Sequence, residues 1–548
     1  MSRLKPILIL IILSYLFFML GNSIMDLTNP DEVFYSQTAK EMAQQKTWMV
    51  PYLFGQPQFE KPILTYWLLR LGAILFGFSG FGMRFFPALF AMIGVVAVYL
   101  MAFSAWRDQK KAFLCALVLA SSGLYIGLAR TVFTDMIFSI FILLSLASFF
   151  LGFVNTKSKR AGLILFFIFS ALAVLTKGPL GFIIPFLAIL LFLGIKKDLK
   201  FLFCGYSLWG FLLFLGIAVP WYFFMIKKFG SSFITEFFYN DHIRRLLEAE
   251  HRANDSWYFY PASMVSCMFP WSIFVAVSFP YLFKRLRERA SNPVYLFLGC
   301  WILVTFIIFQ FAHSKLVSYI FPLFPALAVI TGDFIYNRVM NPNKRQIFIL
   351  LLISCFILLS LPIGLVVSSI KYPGYLPSKN LLYTFILLYT VLPLSMLFLI
   401  LKRKFFASVY LLTFVVFLFL TGALLARNNL NAYLSSRGAS EYLLKNYTVE
   451  TKIVCSKSFV RGVRFFTDKD VVVFDQGGTN FFSPHPIAYL NSGVVLKDFL
   501  KQQPVTYCIV AKSSLSDVES AAIRSGLKLE LLKVVGNECV ARIQLPGK

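Results

Sequence analysis

Thirteen stretches of this chain are apolar and of the length that a helix needs to cross a hydrocarbon layer about 30 Å thick. They lie near residues 6–24, 84–105, 112–129, 136–154, 161–176, 179–195, 201–224, 258–283, 293–312, 316–336, 346–369, 380–401 and 405–426. Inside a bilayer no water is present to satisfy backbone N–H and C=O groups, so such runs must bond internally as helices. The expected fold is therefore an all-α polytopic membrane protein. Of the 548 residues 58% are hydrophobic and 18% aromatic, which excludes an ordinary soluble domain. A net charge of +27 would suggest nucleic acid in a soluble protein, but here Lys and Arg sit in short clusters between the apolar runs. That pattern is topological, and no nucleic-acid partner is expected.

The basic clusters orient the chain. The N-terminus, WRDQKK, NTKSKR, KKDLK, KRLRER, residues 338–345 and KRK at 402–404 alternate as one set and hold 21 Lys and Arg. The positive-inside rule places them in the cytoplasm and the tail outside. The first run follows Arg3 and Lys5 like a signal sequence but lacks a small-residue cleavage site, so it reads as an anchor. Residues 62–79 are apolar but carry Arg70 and open on a proline, and a crossing there would put every later cluster on the wrong side. They read as an interfacial or re-entrant helix within a long first outer loop, residues 25–83. A second long outer loop, residues 227–261, places Phe233, Phe237, Ile243, Leu246 and Leu247 at roughly helical spacing, with a basic face of His242, Arg244, Arg245, His251 and Arg252.

Composition changes near Asn428. KIVCSKS, DVVVFDQ, YCIVAKS and ECVARIQL read as strands separated by helix-like stretches, giving a small α/β domain on the outer face. The expected division is 1–427 for the membrane domain and 428–548 for the α/β domain. Five of the eight Cys fall in apolar runs, where a thiol acts as a small hydrophobe, and the tail's Cys455, Cys508 and Cys539 allow at most one disulfide.

Candidate chemistry gathers at the outer edge. In NPDEVFYSQTAKEM, residues 29–42, Asn29, Pro30 and Glu32 suit a capped helix start, which leaves Asp31 spare to face a cavity beside the membrane domain. Asp135, in FTDM, heads the fourth run on the same side, where Thr134 is an equally good cap. Glu60 and Lys61 form a further outer charge pair that could equally be two snorkelling side chains. Lys177 in TKG, and Lys315 one helical turn before Tyr319, are cations against the orientation bias, which suggests a negative ligand. Together with Arg84, Arg130, Arg244, Arg245 and Arg252 they form an acid-and-cation rim suited to a lipid phosphate.

The order DE with a juxtamembrane helix, FEKP, FTDM, TKG, the HIRR...EHR...WYFYP loop, and KL..Y, followed by a thirteenth span and an outer α/β domain, resembles the bacterial 4-amino-4-deoxy-L-arabinose lipid A transferase family. That family belongs to the GT-C class of integral-membrane glycosyltransferases, which use polyprenyl-phosphate sugars and include protein O-mannosyltransferases. The resemblance implies Asp31 and Asp135 as catalytic acids. It implies Lys61, Tyr66, Lys177, Arg244, Arg245, His251, Arg252, Lys315 and Tyr319 as donor-phosphate or substrate contacts, and Glu60 with His251 as candidate ligands of a divalent metal. The function expected is inverting sugar transfer from undecaprenyl phosphate to lipid A or a related acceptor at the periplasmic face of the inner membrane, among membrane lipids. Its rivals are a protein or core-oligosaccharide transferase of the same class and a lipid-linked sugar flippase.

Overall fold

The computed structural model describes residues 4–248, 254–288, 292–373, 378–475 and 487–545. Each of the thirteen apolar runs is helical there. Among the described residues eight helices are long and apolar enough to cross a membrane, or nine if a bent pair is counted as one span. That pair, Gln109–Ala120 and Gly123–Ala129, turns by 65° at Ser121 and Ser122. The expected run 258–283 is also broken, into Phe259–Ser266 and Ser272–Arg287, around Pro270, which has no N–H to continue a helix. The two breaks face each other: Gly123 N donates to Phe269 O at 2.9 Å and Leu124 N to Cys267 O at 3.0 Å. The apolar stretch that opens on Pro62 forms a separate helix, Leu64–Phe76, too short to cross.

Aromatic side chains fill the centre of the bundle. Phe149 and Phe150 from the span Thr134–Val154 meet Phe192 and Phe297 from the helices Leu180–Lys196 and Val294–Gln310, with ring centroids 4.9–6.2 Å apart. Lys111, Arg285 and Arg338, from three of the predicted basic segments, come together around Tyr281 and Asp333. There Lys111 donates to Asp333 at 2.7 Å, and the hydroxyls of Tyr281 and Tyr295 donate to the same carboxylate at 2.8 and 2.9 Å. A carboxylate inside a span is tolerated only when it is matched in this way.

At the opposite end the decisive group is Glu32. Its helix, Asp31–Gln44, is buried on most of its faces, and Glu32 itself is 1% exposed. Arg84 grips it with Nε at 2.7 Å and Nη2 at 2.6 Å. The same guanidinium donates to the carbonyls of Asn22, Met25 and Asp26. Glu32 also accepts from the backbone N–H of Thr28 and of Val132, each at 3.0 Å. This corrects the expected cap: Asn29 does not close the helix start but donates from Nδ2 to Ser436 Oγ at 2.7 Å. Glu32 and Arg84 instead tie together the loop after the first helix, the helix Asp31–Gln44 and the head of the fourth run. Arg130 is likewise structural, donating to the carbonyls of Phe17 and Leu20.

The C-terminal region carries a six-stranded sheet. Numbering the short outer-loop hairpin as β1 (Tyr52–Leu53) and β2 (Gln56–Pro57), the sheet strands are β3 (Ile453–Ser456), β4 (Val471–Phe474), β5 (Tyr489–Leu490), β6 (Val505–Ala511), β7 (Lys528–Val535) and β8 (Glu538–Gln544). Their order is β5-β4-β3-β6-β8-β7, parallel from β5 to β6 and antiparallel beyond. β3 and β4 are buried at every position, as their unbroken apolar runs require of parallel strands covered on both faces. Cys455 packs on one side of the sheet and Cys508 and Cys539 on the other, and all eight cysteines are free thiols.

This domain docks on the helix Asp31–Gln44. Lys40 Nζ reaches Asp468 at 2.7 Å and Phe465 O at 2.9 Å, and Arg437 reaches Asp26 at 2.9 Å. A β-carbon at Gly462 would collide with Asn29 Oδ1, so only glycine lets the helix Val460–Thr467 approach so closely.

Removing one partner of a buried ion pair strands the other charge, at a cost of about 3–5 kcal/mol. Glu32→Ala is therefore expected to lower the unfolding midpoint in detergent sharply. The double variant E32Q/R84M should recover part of that loss; equal midpoints for Glu32→Ala and the parent would contradict the assignment.

Candidate functional site

The rim site is a chain of ion pairs, a hydrogen bond and a cation–π contact that links five separate segments. Asp135, in the first turn of the span Thr134–Val154, is 5% exposed and accepts from Lys177 Nζ at 2.5 Å. Lys177 ends the helix Lys159–Lys177, and its ammonium lies 4.6 Å from the Tyr319 ring centroid. The Tyr319 hydroxyl accepts from Arg245 Nη1 at 2.7 Å. Arg245 Nε lies 3.1 Å from Asp241 Oδ1, and Asp241 Oδ2 accepts from Lys61 Nζ at 2.7 Å. Lys61 and Glu60 lead into the helix Leu64–Phe76. The sequence thus brings Asp135, Lys177, Tyr319, Arg245, Lys61 and Glu60 to one place, with Asp241 as the joint between the last two cations.

Local folding explains the joint. Residues 231–247 are helical, with wide π-type turns over Ile234–Ile243. Phe233 and Phe237 are fully buried, whereas Ile243, Leu246 and Leu247 are exposed. Asp241 and Arg245, four residues apart, share one face of this helix. Gly178, at φ +102°, leaves room for the ring of His242, whose Nε2 would lie 2.5 Å from a β-carbon there. His242 Nδ1 meets Phe237 O at 2.7 Å. Burial holds its pKa below the ordinary value against the opposing pull of Asp241, so at neutral pH this ring is uncharged.

The acids differ in environment. Burial alone would raise Asp241, but Lys61 and then Arg245 outweigh it and hold its carboxyl below the usual range. Glu60 is pushed up, by burial first, against the opposing field of Lys61 and with Asp241 adding to the rise; Arg461 and Arg245 oppose it. Tyr35 lies one turn after Asp31, and its ring centroid is 6.3 Å from that of Phe133. Its phenol is driven well above its ordinary pKa by burial, then by Tyr66, Asp135 and Asp31. Asp31 and Asp135 therefore bear on the same side chain from the same end of the bundle.

Other expected positions lie elsewhere. Asp31 does not face a cavity beneath its helix; its side chain is 52% exposed, with Oδ1 3.8 Å from Arg461 Nη1 of the α/β domain. Lys315 and Tyr319 do not act as a helical pair. The chain turns helical only at Val317, so Lys315 points away and donates to Asp255 at 2.9 Å, beside His313, which meets the same carboxylate at 2.8 Å. Arg244 sits at the surface with Glu248 at 2.8 Å. Tyr66 is buried against Tyr35 and donates to Gln58 at 3.2 Å. Arg84 serves Glu32 rather than a ligand. His251 and Arg252 lie outside the described residues. Among the described residues no three His, Cys, Asp or Glu side chains gather as a metal would require. Sequence reasoning missed Asp241 and Arg461. The first had a signal, a lone acid opening the basic HIRR run; the second lies some 330 residues away from Asp135 in sequence and had none.

An apolar groove of about 640 Å³ runs between the helices Leu180–Lys196, Phe259–Ser266, Ser272–Arg287 and Val294–Gln310, lined by Pro261, Met264, Phe283, Leu286, Leu303 and Phe306 among others. Fold and site together define a polytopic membrane protein with a cluster of paired charges at one rim and an α/β domain clamped beside it.

The family model for dolichyl-phosphate-mannose-protein mannosyltransferase matches residues 4–233. An undecaprenyl phosphate-alpha-4-amino-4-deoxy-L-arabinose arabinosyl transferase of Pseudomonas fluorescens is 30% identical over 363 residues, 66% of this chain and 61% of that protein. Its namesake in Pseudomonas aeruginosa is 31% identical over 348 residues, 63% of this chain and 62% of its own length. The matched stretch thus spans about three fifths of these relatives. The crystal structure of ArnT from Cupriavidus metallidurans bound to undecaprenyl phosphate superposes with a TM-score of 0.78 at 19% identity, covering 98% of this chain and 97% of that one. The chain shares its fold with ArnT and is similar in sequence to these arabinosyl transferases over about two thirds of its length, and its long apolar helices mark an integral membrane protein.

The raised Glu60 supplies a check on the site. Its ionised form costs stability once pH exceeds its folded pKa, whereas below the unfolded value the group is neutral in both states. Glu60→Gln is expected to raise the unfolding midpoint at neutral pH, with the gain vanishing at acid pH. A gain of equal size at all pH values would contradict the placement.

Proposed function

We propose that this chain is an inverting glycosyltransferase that takes a sugar from undecaprenyl phosphate and passes it to lipid A or a related acceptor at the periplasmic face of the inner membrane. The observation that carries this reading is the Lys61–Asp241–Arg245–Tyr319–Lys177–Asp135 chain, which stores three cations in one place. Each is held by a carboxylate or a phenol, so an incoming phosphate finds donors already oriented and exchanges with the acids for them. The apolar groove suits an isoprenoid tail, since it is open between membrane helices and lined almost wholly by aliphatic and aromatic side chains. The donor and sugar of the similar arabinosyl transferases, undecaprenyl phosphate and 4-amino-4-deoxy-L-arabinose, support this reading.

Asp135 and Asp31 play different parts in this scheme. A lipid A phosphate is anionic already and attacks the anomeric carbon without a base. Asp135, once Lys177 turns to the donor phosphate, then faces the cationic amino group of the sugar. If the acceptor is a hydroxyl, as the mannosyltransferase family model favours for a protein acceptor, the exposed Asp31 is the carboxylate placed to take its proton. A divalent cation, if bound, would be held by Glu60 and His251 and would neutralise charge on the donor phosphate. No step is routed through that ion, because the described residues offer it no second carboxylate or imidazole that is not already committed to a cation or a backbone group.

Transfer from purified undecaprenyl-phosphate aminoarabinose to lipid A, followed by mass spectrometry, tests the proposal. Asp135→Asn and Lys61→Ala are each expected to lower the rate by about 10²-fold or more. Asp31→Asn should spare transfer to a phosphate acceptor but not to a hydroxyl. Full activity of Asp135→Asn with both acceptors would refute the scheme, and activity after chelation with and without added Mg²⁺ decides the metal.

A further inference from the structure

Arg461 belongs to the α/β domain, in its helix Val460–Thr467, yet its side chain is almost fully buried against the rim site. The guanidinium lies 4.6 Å from the Phe34 ring centroid, and Nη1 is 3.8 Å from Asp31 Oδ1. Its charge also acts on Glu60, along with those of Lys61 and Arg245. Sinking a cation into a domain interface is costly unless negative charge awaits it. Docking itself has other means: Lys40 with Asp468, Arg437 with Asp26, Asn29 with Ser436 and the close approach at Gly462. Arg461 is therefore not needed simply to attach the domain.

The charge balance shows what it is for. Among the described residues the site holds four carboxylates, Asp31, Glu60, Asp135 and Asp241, and four cations, Lys61, Lys177, Arg245 and Arg461. Among these described residues, removing Arg461 takes away one of the positive charges that would face an anionic lipid phosphate. A planar guanidinium suits the position better than an ammonium, because it stacks on Phe34 while presenting N–H groups edgewise to Asp31.

We propose that the α/β domain is a working part of the rim site, with Arg461 as a positioning residue that orients Asp31 and balances the pocket's charge for an anionic lipid phosphate. The inference rests on the transfer reading above. Asp31 faces Arg461 and Tyr35, and Glu60 faces Lys61, Asp241, Arg245 and Arg461. Removing the guanidinium takes a positive charge from 3.8 Å beside Asp31, which makes that carboxyl easier to protonate, so the acid limb of a profile that depends on Asp31 moves to higher pH.

The test uses the full chain in detergent with three variants, R461M, R461K and the docking control K40M. Transfer is measured across pH with kcat and KM separated, and undecaprenyl phosphate binding is measured by thermal shift. With a hydroxyl acceptor, for which Asp31 is the base, R461M should lose about 10- to 100-fold in kcat, as expected for a misplaced reacting group, with an alkaline shift of the acid limb, and with either acceptor it should bind undecaprenyl phosphate more weakly. R461K should restore the limb and part of the rate. K40M should move neither, whatever it does to the unfolding midpoint. Parental kinetics and binding in R461M, or the same shifted limb in K40M, would overturn the inference while leaving the transfer reading intact. A parent that neither transfers nor binds undecaprenyl phosphate would overturn both.

Discussion

A charge can be kept at the edge of a bilayer only if its partner is built beside it, and this architecture turns that requirement into its organising device. Glu32 shows it most clearly. One carboxylate gathers a guanidinium and the backbone of two loops, so that three stretches distant in sequence meet at a fixed point. Everything in the first outer loop is positioned from there: Tyr35 and Lys40 on the same helix, the β1–β2 hairpin bound through Glu41 to Phe54 N and Gly55 N, and Glu60 and Lys61 beyond it. Such a pair gives specificity of arrangement more than net stability, because the desolvation of both charges offsets much of their attraction.

The rim site follows the same rule with a different purpose. Glu32 is saturated with five bonds from three residues and has nothing left to offer. Lys177 and Lys61 are each held by a single carboxylate, and Arg245 divides its donors between a carboxylate and a phenol. Partners of that kind can be exchanged. An incoming phosphate takes the place of an aspartate, which is then released toward the sugar or the acceptor.

Much of this was readable from residue order. The membrane helices follow from the length of the apolar runs, and the strands β3, β4, β6 and β8 from their β-branched composition. The two long outer loops pointed to the end of the bundle where Lys61, Asp241 and Arg245 meet. What the sequence concealed were pairings across distance. Glu32 looked like a helix cap because Asn29, Pro30 and Glu32 have the spacing of one, and nothing local announces Arg84 as its partner. Lys315 looked like a companion of Tyr319 because four residues make one turn of a helix, but the helix starts after it. β7 was hidden because KLELLKVV reads equally well as an amphipathic helix. Arg461 was invisible since a tail domain gives no sign of which face it turns inward.

The two interrupted helices near Ser122 and Pro270 leave their free N–H and C=O groups to each other. Neither can therefore remain bent in lipid by itself: a lone break would expose bare peptide dipoles to hydrocarbon. The nascent chain must bring its third and eighth apolar segments together before either settles, so that membrane integration here is cooperative across more than a hundred residues and cannot proceed one hairpin at a time.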